Sequence, residues 1–286
     1  MMKNKICAII ITYNIDKKIV EVINAIINQI ETIIIVDNAS NDKTIKILKE
    51  LSCNEKVNVI FNNENVGIAT ALNQGIKFAE NNNCNWVLTL DHDSICGKDM
   101  IHNMMLCANT YNQYESIGML APKAFDVNKK EFISKKNKNN AEYIEIKDCI
   151  QSGSLIKVDV FKKIGYFNEE LFIYHVDFDF CQRMLKAEFR ILQCNNSILY
   201  HEEGYKVPKN ILWKTFYYNN YSSYAIYYIT RNTIYMCKKY NIIYIKRIVK
   251  DFVHILLFDK KRYEKISYWA RGIKDAVLNN YGKLKE

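Results

Sequence analysis

The most reactive group of residues in this sequence is the triplet Asp91-His92-Asp93, which directly follows the apolar run 86–90. Carboxylates at positions i and i+2 of a strand end point to the same side, where their oxygens can bind a hard divalent cation. Such a cation stabilises the charge that develops on a leaving nucleoside diphosphate. Asp-x-Asp also occurs by chance in surface turns, but the buried strand before this triplet favours the metal site.

A second candidate carboxylate lies in the segment 171–183, LFIYHVDFDFCQR. Asp177 opens a predicted helix there, so the helix dipole keeps it ionised and able to take a proton from an attacking hydroxyl. Asp179 and Arg183, four residues apart, are either part of the site or a pair on the helix surface. His201 ends a predicted strand and is either structural or a further ligand of an Asp-x-Asp metal.

Polar residues also follow three other apolar runs. Asp37 ends the run 32–36 and can accept a hydrogen bond from a base or a ribose, whereas residues 40–42 fit a helix cap better. Gly67 allows tight entry into a helix whose N-terminus can face phosphates. Residues 12–14, Thr-Tyr-Asn, come directly after the first run.

The elements that must position these residues alternate between strand and helix through the first half of the chain. Buried strands are predicted at 5–11, 32–36, 57–61 and 86–90, and helices at 16–29, 41–51 and 67–80. This alternation predicts a mostly parallel, doubly wound α/β sheet. In such sheets ligands bind at the carboxyl ends of the strands, where all of the groups above fall.

The second half of the chain has a different pattern. A polar loop or short hairpin is predicted at 126–147, and a region that is helical throughout is predicted from residue 211 to the end. Between them we predict strands at 149–157, 190–194 and 197–201, and helices at 158–165 and 175–187. The sequence therefore suggests a catalytic domain over 1–210 and a helical C-terminal extension over 211–286.

Composition excludes several classes of protein. The 286 residues are 49% hydrophobic and 25% charged, as expected for a globular chain with a sizeable core. The nine cysteines form no CxxC pair, which favours reduced thiols in a cytosolic protein over a disulfide framework or a zinc site. Much of the net charge of +9 falls in residues 129–147 and in the last third of the chain, so it defines no single recognition helix and we expect no nucleic-acid partner.

Seven segments, taken in order, resemble the family 2 glycosyltransferases of the GT-A fold. They are TYN, VDNASNDKT, NNENVGIATALNQGI, LTLDHDS, QSGSLIK, GYFNEELFIYHVDFDFCQR and the later His201, and together they cover about residues 5–205. Within the family the chain resembles the bacterial rhamnosyltransferase branch, which shares SGSLI, LFI…VD…R and a late TRN, here residues 230–232. The chain departs from that branch at His92 and at Tyr174-His175.

The resemblance implies a Rossmann-like sheet with flanking helices and an inverting, metal-dependent transferase that uses a nucleotide-sugar donor. The metal is Mn²⁺ or Mg²⁺, with Asp93 and His201 as ligands and Asp91 shared between metal and donor. Asp177 falls at the position of the catalytic base. The implied donor-binding residues are Thr12, Tyr13, Asn14, Asp37, Asn65, Gly67, Asp91 and Arg231.

The resemblance also suggests a donor and an acceptor, but alternatives stay open for both. The expected reaction transfers rhamnose from dTDP-rhamnose to a hydroxyl of a growing bacterial surface glycan, free or lipid-linked, with a UDP-hexose as the alternative donor. Two rivals are a nucleotidyltransferase, which would normally carry a Gly-rich basic loop where residues 12–18 read TYNIDKK, and a non-enzymatic, membrane-associated assembly factor.

The expected location is the cytoplasm, with peripheral association with the inner face of the cell membrane as an open alternative. The basic, aromatic helices after residue 211 either pack on the catalytic domain, form a homodimer contact or lie in the membrane interface.

Overall fold

The computed structural model describes residues 5–133, 141–202, 206–211, 214–241 and 245–285. The chain forms two compact units, Met1–Glu169 with Val176–Glu202, and Glu170–His175 with Glu203–Glu286. The sequence suggested a single division after residue 210. The segment Glu170–His175 instead joins the second unit, because Arg231 and Asn232 bind its backbone.

One mixed sheet organises the first unit. Its parallel part consists of β1 (Ile6–Thr12), β2 (Thr32–Asp37), β3 (Val57–Phe61) and β4 (Trp86–Asp91), which confirms the four predicted strands. The strands β4 and β6 (Ile117–Asp126) are both antiparallel to β9 (Ser154–Lys157), and β10 (Arg190–His201) is parallel to β6. With β5 (Ile95–Cys96) beside β10, the strand order is β3-β2-β1-β4-β9-β6-β10-β5. Six of the long strands therefore run in the same direction, and their carboxyl ends lie at one edge.

Helices connect the parallel strands and cover the sheet. They are α1 (Lys18–Ile26), α2 (Asp42–Leu51) and α3 (Gly67–Asn81). Asn41 caps α2 through a hydrogen bond from the Thr44 amide to Asn41 Oδ1 of 3.1 Å, as the sequence predicted. At Gly75 a Cβ atom would lie 2.5 Å from Ile9 Cγ2, so a glycine is needed for α3 to pack closely on β1.

The remainder of the first unit contains elements that the sequence analysis assigned only in part. The strand β10 joins the two predicted strands 190–194 and 197–201 and has an irregularity between Cys194 and Ile198. Residues 134–140 of the predicted loop or hairpin lie outside the described part. The elements are β5 (Ile95–Cys96), α4 (Met100–Thr110), β6 (Ile117–Asp126), β7 (Glu131–Phe132), β8 (Tyr143–Ile146), β9 (Ser154–Lys157), α5 (Val158–Ile164), α6 (Val176–Lys186) and β10 (Arg190–His201).

One pair of cysteines differs from expectation. Cys7 on β1 and Cys84 just before β4 form a disulfide with a Cα–Cα distance of 6.3 Å. The prediction of reduced thiols is therefore wrong for this pair, and the other seven cysteines are free. Parallel pairing of β1 with β4 brings the two residues together although 77 positions separate them in the chain.

The second unit begins with a two-stranded antiparallel sheet, β11 (Lys206–Ile211) and β12 (Lys214–Asn219). Three helices follow: α7 (Ser223–Tyr240), α8 (Ile245–Phe258) and α9 (Arg262–Val277). The prediction of helix from residue 211 onward is wrong for β12 and correct for these three elements. No helix in the described part of the chain is long and apolar enough to cross a membrane.

Candidate active site

Three predicted metal ligands meet at the carboxyl edge of the sheet. Asp91 ends β4, Asp93 follows it by two residues, and His201 ends β10. One ligand atom from each of these residues lies within 4.8 Å of the other two. Because β4 and β10 run in the same direction, their carboxyl ends lie at the same edge of the sheet, although the two strands are far apart in the sequence.

The chemistry of this cluster fits a divalent cation. Burial, and next the negative charge of Asp93, raise the pKa of Asp91 to about 6. Asp93 Oδ1 is buried and has no hydrogen-bond partner among the residues that the structure describes. A buried carboxylate oxygen without a donor is costly unless a cation binds it. Two carboxylates and an imidazole form a ligand set that Mn²⁺ or Mg²⁺ accepts.

Two serines that the sequence analysis did not single out connect the ligands. Ser94 Oγ lies 2.8 Å from His201 Nδ1, and the Ser152 hydroxyl donates to Ser94 Oγ over 2.8 Å. Ser152 Oγ also accepts a hydrogen bond of 3.0 Å from the Asp91 amide. Burial lowers the pKa of His201, which favours the neutral imidazole that a metal requires. Hydroxyl partners of this kind orient a ligating histidine through its second nitrogen.

The predicted base, Asp177, belongs to the same site. It is the second residue of α6, and burial raises its pKa to about 6, while the backbone N–H groups of Phe178 and Gln151 favour its ionised form. The negative charge of Asp91 raises the pKa of Asp177 further. The turn that contains Gln151 continues into Ser152, which binds the Asp91 amide.

Asp179 and Arg183, left open between two roles, form a structural pair. Asp179 is buried, and Arg183 Nε donates to its Oδ2 over 2.9 Å. The same guanidinium donates to the carbonyl oxygens of Ile164 and Tyr166, both at 2.8 Å. These bonds fasten α6 to the segment after α5.

At the carboxyl ends of β1 and β2, the predicted donor-binding residues Thr12 and Asp37 lie opposite each other. The Thr12 hydroxyl donates to Asp37 Oδ1 over 2.9 Å, and the Ser40 amide donates to Asp37 Oδ2 over 2.9 Å. Asp37 is only 1% exposed. The contacts observed are therefore those that fix the loop after β2, and contact of Thr12 or Asp37 with a nucleoside stays a prediction.

The more accessible donor candidates surround that pair. Tyr13 is 50% exposed, and Asn14 adopts φ 51° while its side chain accepts a hydrogen bond of 2.9 Å from the Asn41 amide. Asn65 Oδ1 accepts from the Gly67 amide over 3.0 Å, and Gly67 opens α3 with φ 86°. The structure thus brings together residues that follow the ends of β1, β2 and β3, and their contact with a donor stays a prediction.

The donor-binding role predicted for Arg231 does not fit the structure. Arg231 lies in the second unit and is fully buried there. All three of its nitrogens donate to protein oxygens, on Glu170, Leu171, Gly282 and Asn232. We therefore correct its assignment from a diphosphate ligand to a structural residue, because its guanidinium is bound to backbone carbonyls instead of facing an open site.

The sequence profile of Glycosyl transferase family 2 matches residues 7–165, more than half of the chain. The chain belongs to this family. It is 26% identical to the dTDP-rhamnosyl transferase RfbF of Shigella flexneri over 95% of this chain and 94% of that protein. The resemblance to the rhamnosyltransferase branch is confirmed, and the chain is a nucleotide-sugar glycosyltransferase.

Solved structures confirm the GT-A fold. GalNAc-T7, solved with UDP, GalNAc and Mn²⁺, matches with a TM-score of 0.64 and 13% identity over 97% of this chain, which spans 58% of that one. The TarS fragment 1–349 of S. aureus, solved with UDP-GlcNAc, matches with a TM-score of 0.60 and 17% identity over 96% of this chain and 80% of that one. The mannosyltransferase PcManGT of Pyrobaculum calidifontis was solved with GDP-Man and Mn²⁺. It matches with a TM-score of 0.57 and 14% identity over 98% of this chain and 76% of that one.

Proposed function

We propose that this glycosyltransferase works by a single inverting displacement in which Asp177 is the general base. The observation that carries this proposal is the hydrogen bond that Asp177 accepts from the backbone of Gln151, because the next residue, Ser152, binds the amide of Asp91. A carboxylate beside the diphosphate-binding edge can remove the proton of an acceptor hydroxyl as that oxygen attacks the anomeric carbon. The leaving diphosphate departs on the opposite face of the sugar.

We assign Asp91, Asp93 and His201 as the residues that hold Mn²⁺ or Mg²⁺. The buried Asp93 Oδ1 and the burial that raises the pKa of Asp91 support this assignment, because a bound cation would stabilise both carboxylates in their ionised form. When bound, such a cation supplies electrostatic stabilisation to the leaving diphosphate. Ser94 and Ser152 keep the imidazole of His201 oriented toward the carboxylates.

For the donor we propose dTDP-rhamnose. The similarity to a dTDP-rhamnosyl transferase extends over 95% of the chain, well beyond the nucleotide-binding half. A UDP-hexose is the second candidate, because structures solved with UDP or UDP-GlcNAc share the fold.

The donor is tested by binding and by the mass of the product. In the presence of Mn²⁺, dTDP should raise the melting temperature more than UDP or GDP does, and dTDP-rhamnose should add a deoxyhexose to the acceptor. Mass spectrometry decides the sugar, since a hexose increment is heavier by one oxygen atom. A hexose product, or stronger stabilisation by UDP than by dTDP, contradicts the rhamnose assignment.

A cavity of about 210 Å³ in the first unit is our candidate for the acceptor. It is mainly apolar and is bordered by Pro122, Ile150 and Gln193. Two further lining residues adjoin the proposed site, because Ser152 binds the Asp91 amide and Phe178 follows Asp177. Sugar rings present apolar C–H faces and polar hydroxyls, so this lining suits a glycan. The acceptor we propose is a hydroxyl of a bacterial surface glycan, free or lipid-linked.

The second unit offers a surface for membrane contact. Val249, Val253, Leu256 and Leu257 lie on one side of α8 and are exposed, Val249 by 55% and Leu257 by 61%. Lys246 and Lys250 lie on the same side and are also exposed. Tyr263, at the start of α9, is 85% exposed. Helices with aliphatic and basic residues on one face lie in membrane interfaces, with the ammonium groups drawn to anionic headgroups.

An anionic lipid surface suits this face better than a second copy of the chain does. In a two-fold dimer the same patch meets itself, so each lysine needs an acidic partner on that patch. Asp251 is the one acidic residue of α8, and it lies beside Arg247, away from the exposed aliphatic face. We therefore propose peripheral association with the inner face of the cell membrane.

Cosedimentation with vesicles tests this proposal. The full-length protein should bind vesicles of equal parts phosphatidylglycerol and phosphatidylcholine at low salt, and release as salt screens the attraction. Val249→Ser with Leu257→Ser should weaken binding about tenfold or more, because lipid burial of two aliphatic side chains is lost. Leu106→Ser, on an exposed part of α4, is the matched control. Equal binding by both variants, or dimerisation through α8 without vesicle binding, contradicts the proposal.

A further inference from the structure

The segment Glu170–His175, just before α6, has an unusual backbone. Phe172, Tyr174 and His175 have φ values of 63°, 64° and 60°, in the left-handed region that residues with a Cβ atom rarely adopt. Three such residues within four positions are stable only when surrounding contacts hold them. The segment is followed immediately by Val176 and by the proposed base, Asp177.

Asn232 and Arg231 of α7 provide most of these contacts. Asn232 Nδ2 donates to the carbonyl oxygens of Leu171, Ile173 and Tyr174 at 2.9, 2.7 and 3.0 Å. Arg231 Nη2 donates to the carbonyls of Glu170 and Leu171, each at 3.0 Å. Arg231 Nε donates to Asn232 Oδ1 over 2.9 Å, which fixes the amide so that its N–H groups face the segment.

Side chains of the segment are held by the same helix. His175 Nε2 lies 3.0 Å from the Thr233 hydroxyl, and both groups are buried. The ring of Phe172 stacks on Tyr228 with a centroid distance of 5.1 Å and an interplanar angle of 14°. The guanidinium of Arg231 lies 4.8 Å from the centre of the Tyr228 ring. Contacts with α7 therefore hold both the carbonyl groups and the side chains of this segment.

We infer that Arg231, Asn232 and Thr233 act as positioning residues for Asp177. They hold the segment Glu170–His175 in a conformation that sets where α6 starts and how the carboxylate of Asp177 is presented. This inference rests on the proposed role of Asp177 as the base. A small displacement of a catalytic group is enough to slow a reaction by up to about a hundredfold, although substrate binding is unchanged.

Isosteric substitutions separate positioning from folding. Asn232→Asp replaces the donating amide by a carboxylate that faces three carbonyl oxygens, and Thr233→Val removes a hydroxyl with little change of volume. We expect each to lower kcat about tenfold or more, with the affinity for dTDP nearly unchanged. Thr233→Ser keeps the hydroxyl and should restore kcat toward that of the parent protein. A loss of dTDP binding in step with kcat would overturn the inference.

A double-mutant cycle with Asp177→Asn tests whether Asn232 affects kcat through Asp177. If Asn232 acts through Asp177, then Asn232→Asp should have little further effect on kcat once Asp177 is replaced, because the group it positions is gone. Multiplicative loss in the double variant would overturn the inference. Full turnover by Asp177→Asn alone would instead remove the proposed base, so the two failures are distinguishable. Calorimetric dTDP binding and the melting temperature are measured for every variant.

Discussion

Asp177→Asn is expected to lower kcat by about 10²- to 10⁴-fold, the usual contribution of general base catalysis. Asparagine keeps the size of the side chain and its backbone hydrogen-bond acceptor, but it cannot take up a proton. The pKa of Asp177, raised to about 6 by burial, makes it a stronger base than an exposed aspartate while leaving it ionised at neutral pH. The measurement is steady-state transfer with saturating donor and acceptor.

Asp159 offers a matched control for this experiment. It is the second residue of α5, as Asp177 is the second residue of α6, but it is exposed and pairs with Lys162 on the surface. Asp159→Asn should leave kcat unchanged. Donor affinity of Asp177→Asn should also stay close to that of the parent protein. A variant that loses donor binding and turnover together would place Asp177 in the donor site, and unchanged turnover would exclude it as the base.

The sequence was sufficient to predict the parallel strands and the polar residues at their ends. Continuous aliphatic runs such as Ile6–Thr12 can be buried only between two layers of helices, and parallel strands then bring their carboxyl ends to one edge. Asp91, Asp93 and His201 could therefore be grouped although 108 positions of chain separate His201 from Asp93.

Other elements could not be predicted because their residues give conflicting signals. The strand β6 contains Gly118 and Pro122, which interrupt a strand pattern even though the strand is paired on both sides. The strand β12, KTFYYN, lies in a Tyr- and Lys-rich region that resembles the helices after it. Its aromatic residues suit a strand as well as a helix, and only the pairing with β11 shows that this segment is a strand.

Within the site, the sequence-based assignments failed for residue types that can play either a structural or a ligand-binding role. A guanidinium binds backbone carbonyls as readily as phosphates, so the TRN segment alone could not show that Arg231 is buried against Leu171. Serine hydroxyls are too common for Ser94 and Ser152 to be recognised as partners of the metal ligands without the geometry that joins them. Residue type was enough to predict the candidate ligands, but only the fold shows which serines contact them.

Asp93→Ala is expected to abolish metal-dependent transfer, with a loss of about a hundredfold or more. The carboxylate of Asp93 contributes a buried oxygen that has no donor within the described residues, so its removal leaves the proposed cation with Asp91 and His201 alone. Loss of a Lewis acid that stabilises a leaving group raises the barrier by several kcal/mol, and each factor of ten in rate corresponds to about 1.4 kcal/mol. Calorimetric titration with Mn²⁺ in the absence of donor gives a readout independent of turnover.

Two further variants sharpen this result. Ser94→Ala removes the hydroxyl beside His201 Nδ1 but no ligand, so Mn²⁺ affinity should fall by about 10- to 100-fold while high Mn²⁺ restores activity. Glu50→Ala, which removes an exposed carboxylate on α2, should change neither property. Circular dichroism verifies that each variant is folded. A folded Asp93→Ala protein that binds Mn²⁺ as the parent does, or that transfers sugar at the full rate in the presence of a chelator, would refute the metal site.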